Sequence, residues 1–283
     1  MAQPKRRRRP DPRRPPPSPP AQPGVLVPVI VTLAGVVLLV SAFFVYRALT
    51  LKPAPPPPSQ TSTASLIAEI TAIPDSELAR VGAGTADQSN VKRANDPPLR
   101  GPDGKPEVLY IGGEFCPYCA AQRWPIIIAL SRFGTFSGLQ PASSSSTDAF
   151  PNTPTFTFRS VSFQSSYLDL VALEVRDRNG DPLQTMTSEQ RALLAKYTQN
   201  TIPFVDFGNS YVLSGPNYSP QVLAGRSWQQ VAATLKDPSS PQAKAILGSA
   251  AVLTALTCQI TGGQPAATCS LPAIRSLGDS LPR

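Results

Sequence analysis

One uncharged stretch of 22 residues, 25–46, most restricts how this chain can fold. It reads VLVPVIVTLAGVVLLVSAFFVY and is long enough to cross a hydrocarbon core of about 30 Å as a helix. A buried core helix would be amphipathic or shorter, and a cleaved signal peptide has an apolar run of only about 7–15 residues. The stretch therefore predicts one retained transmembrane helix over residues 25–46.

The charges beside this stretch predict its orientation. Seven basic residues precede it and two follow it, namely Lys5, Arg6, Arg7, Arg8, Arg9, Arg13, Arg14, Arg47 and Lys52. The more basic flank of a membrane helix stays on the cytoplasmic side, and here that is the N-terminal flank. We therefore expect a cytoplasmic N-terminus and an extracytoplasmic C-terminal domain at the cell membrane. Residues 1–24 are rich in proline and charge, which predicts a disordered basic tail. The run KRRRR could also bind anionic lipid or nucleic acid.

Composition excludes several classes of function. The net charge of +8 comes from the first 52 residues, since residues 53–283 hold 17 basic and 17 acidic side chains. A neutral domain has no bulk attraction for a phosphate backbone, so no nucleic-acid partner is expected. The chain has no histidine, which excludes Ser-His-Asp hydrolysis, Cys-His proteolysis and His-ligated zinc or haem. We expect no cofactor and no metal.

Beyond the membrane segment, the chain divides into a linker and one domain. Residues 47–62 are proline-rich and predict a stiff linker, and residues 63–283 form the predicted extracytoplasmic domain. A short helix is predicted around residues 66–73. Residues 82–106 and the serine-rich residues 141–148 are predicted to be loops.

The strongest local pattern is a strand, a turn, a CxxC motif and a helix. Residues 108–111 favour a strand, and Gly112 and Gly113 lead into Cys116-Pro117-Tyr118-Cys119. An apolar helical pattern follows, which Pro125 should kink.

Later segments predict further strands and helices. These are a strand within 156–163, an inner strand over 168–175, a helix with a Thr187–Gln190 capping box, a hairpin over 202–213, a helix over 228–235 and a longer helix over 246–260.

Cys116 has the position of a redox nucleophile. At a helix N-terminus, unpaired N–H groups and the helix dipole favour its thiolate, and Pro117 fits at the first helical position. Cys119 returns to the same face one turn later and could resolve a mixed disulfide. The alternatives are an inert disulfide, or half of a metal site completed by Cys258 and Cys269.

Cys258 and Cys269 flank a turn and are expected to form a structural disulfide. An oxidising exterior favours this bond, and closing so short a loop stabilises the fold by roughly 2–3 kcal/mol. A second exchange pair that relays electrons is the alternative.

The segment around Cys116, with Thr201-Ile202-Pro203 before a hairpin, resembles the thioredoxin fold, and its Pro-Tyr dipeptide is similar to that of glutaredoxins. The resemblance implies a cis Pro203 beside the CxxC motif and a substrate peptide pairing with the backbone of Ile202. Four segments are also similar to the prokaryotic membrane-anchored family called domain of unknown function 929, over roughly residues 63–270. They are GKPEVLYIGGEFCPYCAAQRW, TIPFVDFGNSYVLSG, SPQVLAGRSW and TCQITGGQPAATC.

The chain also departs from thioredoxin. Tyr110 stands where thioredoxins keep a buried aspartate, so that Glu114 is the nearest acid for proton transfer to Cys119. Pro125 is one place later than the thioredoxin helix proline. Extra chain lies between Phe133 and Thr187, and a C-terminal helix with its own cysteine pair is added.

These observations predict an α/β fold, with a thioredoxin-like central mixed sheet, flanking helices and an extra C-terminal helix. The expected function is membrane-anchored extracytoplasmic thiol–disulfide oxidoreductase, with Cys116 attacking and Cys119 resolving. The supporting residues are Pro117, Tyr118, Glu114, Ile202 and Pro203. Expected partners are the membrane, extracytoplasmic protein thiols or disulfides, and a membrane electron donor or acceptor. The alternatives are a non-catalytic scaffold that binds an envelope protein, and a copper or zinc carrier.

Overall fold

The computed structural model describes residues 36–43, 45–46 and 60–282. The chain divides into two units, Met1–Lys52 and Pro53–Arg283. In the first unit, residues 36–43 and 45–46 are helical and expose apolar side chains. The rest of the predicted transmembrane helix, the predicted tail 1–24 and linker residues 47–59 lie outside the described residues. Helix α1 begins at Gln60, slightly earlier than the predicted start of the domain at residue 63.

The second unit contains eight α-helices and nine strands among its described residues. The helices are α1 Gln60–Thr71, α2 Asp75–Val81, α3 Pro117–Leu130, α4 Ser188–Thr198, α5 Trp228–Thr234, α6 Pro241–Ile260, α7 Ala266–Cys269 and α8 Pro272–Asp279. The strands are β1 Val91–Arg93, β2 Glu107–Gly112, β3 Thr135–Ser137, β4 Gln140–Ser143, β5 Pro154–Thr157, β6 Ser162–Gln164, β7 Asp169–Glu174, β8 Phe204–Phe207 and β9 Tyr211–Ser214.

A five-stranded mixed sheet forms the centre, in the order β1-β9-β8-β2-β7. Strands β2 and β7 are parallel, from Glu107 opposite Asp169 to Gly112 opposite Glu174. The other neighbouring strands are antiparallel. Strand β2 is buried on both faces, which explains why its sequence is a continuous apolar run rather than an alternating one. Its C-terminal end points the chain toward Cys116.

Helices cover both faces of the sheet. Tyr110, Val205 and Leu213 belong to one apolar core with residues of α3 and α6. Leu109 and Phe204, which alternate with them, belong to a second core with Leu194 of α4. The alternation follows from the period of two in a strand. The architecture is therefore a mixed α/β fold with three layers.

Helix α6 is, within the described part of the chain, the one helix long and apolar enough to cross a membrane. It lies near the C-terminus and not at the predicted position 25–46. Of its most apolar window, 83% is buried inside the protein, where the helix packs against α3 and α8.

Helix α3 runs through Pro125 without a break. Proline has no N–H, so it leaves the carbonyl four residues earlier, that of Ala121, without its usual helical donor. The hydroxyl of Tyr218 donates to this carbonyl at 2.7 Å and replaces the missing bond. Thr155 also donates, at 2.8 Å, to the neighbouring carbonyl of Ala120.

Two predicted loops contain strands. Residues 91–93, inside the predicted loop 82–106, form edge strand β1 opposite β9. Residues 140–143 form β4, which pairs with β5 and overlaps the start of the predicted loop 141–148. The extra chain between α3 and β7 thus forms two small hairpin-like sheets, β3–β6 and β4–β5.

Candidate functional site

The CxxC motif lies where strand β2 ends and helix α3 begins. Cys116 has extended backbone angles and is the N-cap of α3, and Pro117 occupies the first turn, where a missing N–H costs nothing. The Cys116 Sγ atom accepts a hydrogen bond from the backbone N–H of Cys119 at 3.3 Å. The sequence therefore places the first sulfur at the positive end of a 14-residue helix.

Both cysteines are buried, but the pKa values of their thiols shift in opposite directions. Cys116 is 6% exposed, and a hydrogen bond from the Cys119 thiol lowers its pKa, with burial opposing and Arg123 assisting. Cys119 is fully buried, and burial raises the pKa of its thiol well above the ordinary value. Both cysteines are free thiols. One sulfur is thus suited to attack as a thiolate, and the other stays protonated until needed.

An aromatic rim lies beside Cys116. Tyr118 is 42% exposed, and its ring packs edge-on against Phe150 at 5.9 Å between centroids. The loop that carries Phe150 is tied to the site, because the N–H of Ser145 donates to the carbonyl of Phe115 at 2.8 Å. Arg178 also holds this loop, through a 2.9 Å hydrogen bond to the carbonyl of Ser144.

Ile202 and Pro203 reach the same end of the sheet. The peptide bond between them is cis, and Pro203 directly precedes β8, whose Phe204 pairs with Ile111 of β2. The side chain of Ile202 lies against Gly113, since a Cβ atom there would stand 3.3 Å from Ile202 Cδ1. The Ile-Pro corner therefore adjoins the turn that leads into Cys116.

Glu114, the nearest acid in sequence to Cys119, is hydrogen-bonded to the small sheet β4–β5. Its carboxylate accepts a 2.5 Å hydrogen bond from the hydroxyl of Thr157 on β5. The charged side chain that most affects both sulfurs is Arg123.

Arg123 and Glu174 form a fully buried ion pair that sequence reasoning missed. Arg123 Nε and Nη2 donate to the two carboxylate oxygens at 2.8 and 2.6 Å, and Nη2 also donates to the carbonyl of Gly113 at 2.8 Å. Burial opposes the positive charge, but Glu174 raises the pKa of the guanidinium above its ordinary value. An arginine on an otherwise apolar helix, four residues after a CxxC cysteine, was the available signal.

Tyr110 of strand β2 lies near this ion pair. Its ring packs edge-on against Phe158 at 5.1 Å, and the Arg123 guanidinium carbon lies 5.9 Å from its centroid. Burial raises the pKa of its hydroxyl well above the ordinary value, so this hydroxyl stays protonated at neutral pH. Tyr110 therefore cannot replace a buried carboxylate as a charged group.

Cys258 and Cys269 form a disulfide at the opposite end of the sheet. Ile260, two residues after Cys258, packs against Gly208, whose N–H donates to the carbonyl of Glu107 at the start of β2. From its first to its last residue, β2 makes five steps of roughly 3.3 Å, so the two ends of this strand are about 17 Å apart. This disulfide neither exchanges directly with Cys116 nor completes a four-cysteine metal site. The described residues contain no group of three or more His, Cys, Asp or Glu side chains placed to hold a metal ion.

Comparison with known proteins identifies a family but no activity. No curated protein and no solved structure matches the chain. The family described as "Domain of unknown function (DUF929)" matches residues 99–200 and 185–259, which include β2, the CxxC motif, α3 and most of α6. Since this match spans more than half of the chain, the protein belongs to the domain of unknown function family DUF929.

Proposed function

We propose that this protein is a thiol–disulfide oxidoreductase whose reactive groups are Cys116 and Cys119. The observation that carries the proposal is the asymmetry of the two sulfurs. Cys116 caps a helix and has a lowered pKa, whereas Cys119 lies one turn deeper, fully buried and with a raised pKa. Thiol–disulfide exchange needs an attacking thiolate and a protonated resolving thiol held nearby.

The sheet supports the assignment of the fold as thioredoxin-like. Four strands have the order β9-β8-β2-β7, the CxxC motif follows β2, β7 is parallel to β2, and β8 follows the Ile-Pro corner. This is the arrangement expected from the resemblance described above. Strand β1 and helices α6–α8 are additions to it. Because one fold hosts many activities, the fold supports the proposal less than the sulfurs do.

The proposed exchange reaction has two steps. The Cys116 thiolate attacks a substrate disulfide, forms a mixed disulfide and releases the first substrate thiol. Cys119 then attacks Cys116, forms the Cys116–Cys119 disulfide and releases the second substrate thiol. The substrate gains two electrons and two protons, which the dithiol loses. In the reverse direction the oxidised pair forms a disulfide in a reduced substrate.

The proposed location and membrane topology of the protein rest on its sequence. We propose a single-pass membrane protein with a cytoplasmic N-terminus and an extracytoplasmic catalytic domain, acting on protein thiols or disulfides there. Support comes from the uncharged residues 25–46 and their basic flanks. Described residues 36–43 and 45–46 within that stretch are helical. A membrane electron donor or acceptor would restore the pair after each cycle.

A trapping experiment tests the proposal. The reduced full-length protein in detergent is mixed with a disulfide-linked peptide, quenched in acid, alkylated and analysed by mass spectrometry. We expect the wild type to reduce the peptide and form the Cys116–Cys119 disulfide. Cys119→Ser should accumulate a mixed disulfide at Cys116, and Cys116→Ser should form neither product.

The matched control is the double variant Cys258→Ala/Cys269→Ala, which should react as the wild type does. If the wild type exchanges nothing and Cys119→Ser traps nothing, the protein is not an oxidoreductase, and a scaffold function should replace this proposal. Copper or zinc found by elemental analysis of the reduced protein would favour a metal carrier instead.

A further inference from the structure

Arg123 lies close enough to both reactive sulfurs to act on them electrostatically. It follows Cys119 by four residues on α3, so both side chains lie on the same helix face. The guanidinium is fully buried, and Glu174 and the Gly113 carbonyl hold two of its nitrogens. The third nitrogen, Nη1, has no hydrogen-bond partner among the described residues. An incompletely paired buried guanidinium is costly for stability, which suggests a role beyond packing.

The charged and titratable groups around the sulfurs come from four segments. Strand β2 contributes Tyr110, β7 contributes Glu174, the turn before α3 contributes Glu114 and α3 itself contributes Arg123. Tyr110 is neutral at neutral pH, and Glu114 is hydrogen-bonded to Thr157 on β5. Arg123 is the positive group in this set, and it favours the charged form of both sulfurs.

We propose that Arg123 is a positioning residue for disulfide exchange, whose fixed charge stabilises the Cys119 thiolate as that sulfur attacks the mixed disulfide. This inference rests on the proposed function. In the resolving step, the proton of Cys119 leaves, the new Cys116–Cys119 bond forms, and the bond from Cys116 to the substrate breaks. The departing substrate sulfur takes the electron pair and then a proton. A buried thiolate has little solvation, so a nearby cation lowers the free energy of forming it.

Two variants should change the sulfurs in opposite directions. Arg123→Met/Glu174→Gln removes both charges, and we expect alkylation of Cys116 by iodoacetamide at pH 6 to slow by about three- to tenfold. Release of substrate from a preformed mixed disulfide should slow by a similar factor, about three- to tenfold. Glu174→Gln alone keeps the cation without its anion, so both rates should rise. If the ion pair had only a structural role, the two variants would not change these rates in opposite directions.

The matched control is another ion pair, just beyond the C-terminal end of the same helix. Arg132 Nε lies 2.9 Å from Asp75, and the Arg132 side chain is only 5% exposed. Because α3 ends at Leu130, about 10 Å further along the helix axis than Arg123 at roughly 1.5 Å per residue, Arg132→Met/Asp75→Asn should leave the alkylation rate of Cys116 unchanged.

Four results would overturn the proposal. They are unchanged rates in both folded variants, rate changes of the same sign in both, an equal rate change in the control, and loss of folding in both variants while the control folds. Circular dichroism at pH 6 monitors folding. A wild-type protein that exchanges no disulfide contradicts the proposed function itself, whereas an active wild type with unchanged variants contradicts only the role of Arg123.

Discussion

A buried carboxyl group outside the CxxC site should make stability depend on pH. Asp206 of β8 is fully buried, and its Oδ1 accepts the N–H of Asn209 at 2.6 Å. Its Oδ2 has no hydrogen-bond partner among the described residues. Burial, with smaller contributions from Asp96 and Glu107, raises the pKa of Asp206 from 3.8 to about 7. Between about pH 4 and pH 7 the folded protein therefore holds a proton that the unfolded chain releases.

The raised pKa gives both the sign and the size of the effect. Since the folded pKa exceeds the unfolded one, protonated Asp206 contributes its full stability below about pH 4, and the contribution is lost as pH rises through about 7. A shift of about three pKa units, at roughly 1.4 kcal/mol each, corresponds to about 4 kcal/mol. Asp206→Asn stays neutral at every pH and keeps an oxygen for Asn209. We expect it to match the wild type near pH 4 and to exceed its stability by about 2–4 kcal/mol at pH 8.5.

Urea unfolding of the full-length protein in detergent, followed by tryptophan fluorescence at several pH values, measures this difference. Trp124 and Trp228 are both buried and report on the core. Asp181→Asn changes an exposed carboxyl group and should shift stability by less than about 0.5 kcal/mol at every pH. A stability difference between Asp206→Asn and the wild type that does not grow from pH 4 to pH 8.5 would refute the reasoning.

Two further predictions concern bonds that hold the helices. Replacing Cys258 and Cys269 by alanine opens a loop of sequence separation 11 and should lower the free energy of unfolding by about 3 kcal/mol, measured by urea titration; an unchanged midpoint contradicts this. Tyr218→Phe should cost about 1–2 kcal/mol, because the Ala121 carbonyl loses the donor that replaces the missing N–H of Pro125. In a Pro125→Ala background, where a backbone N–H becomes available, that cost should fall, and an equal cost in both backgrounds would contradict the explanation.

Elements with strong local signals could be predicted from the sequence. Thr187 and Gln190 form the expected capping box at the start of α4. The predicted inner strand over 168–175 is β7, Asp169–Glu174, and the predicted hairpin contains β8 and β9. In each case the residues that define the element lie within a few positions of one another. Their pattern therefore does not depend on contacts with distant parts of the chain.

Elements that depend on distant partners could not be predicted. Strand β1 has only three residues, two of them charged. It forms a strand because it pairs with the edge of β9. The same limit applies to the site. The sequence places Cys116 and Cys119 at a helix start, but Arg123 and Glu174 are 51 residues apart and meet only because the fold brings the last residue of β7 beside α3. Glu114, named for its nearness in sequence, is hydrogen-bonded to Thr157, and its part in proton transfer stays a prediction.

Under the proposed function, the location of the bridged cysteine pair keeps it away from the reactive sulfurs of its own molecule. A domain that breaks and makes sulfur–sulfur bonds is a hazard to any bond of that kind within its reach. Here the bond between Cys258 and Cys269 lies at the opposite pole of the sheet from Cys116, separated by the length of β2. Exchange with this bond would therefore require two molecules to meet.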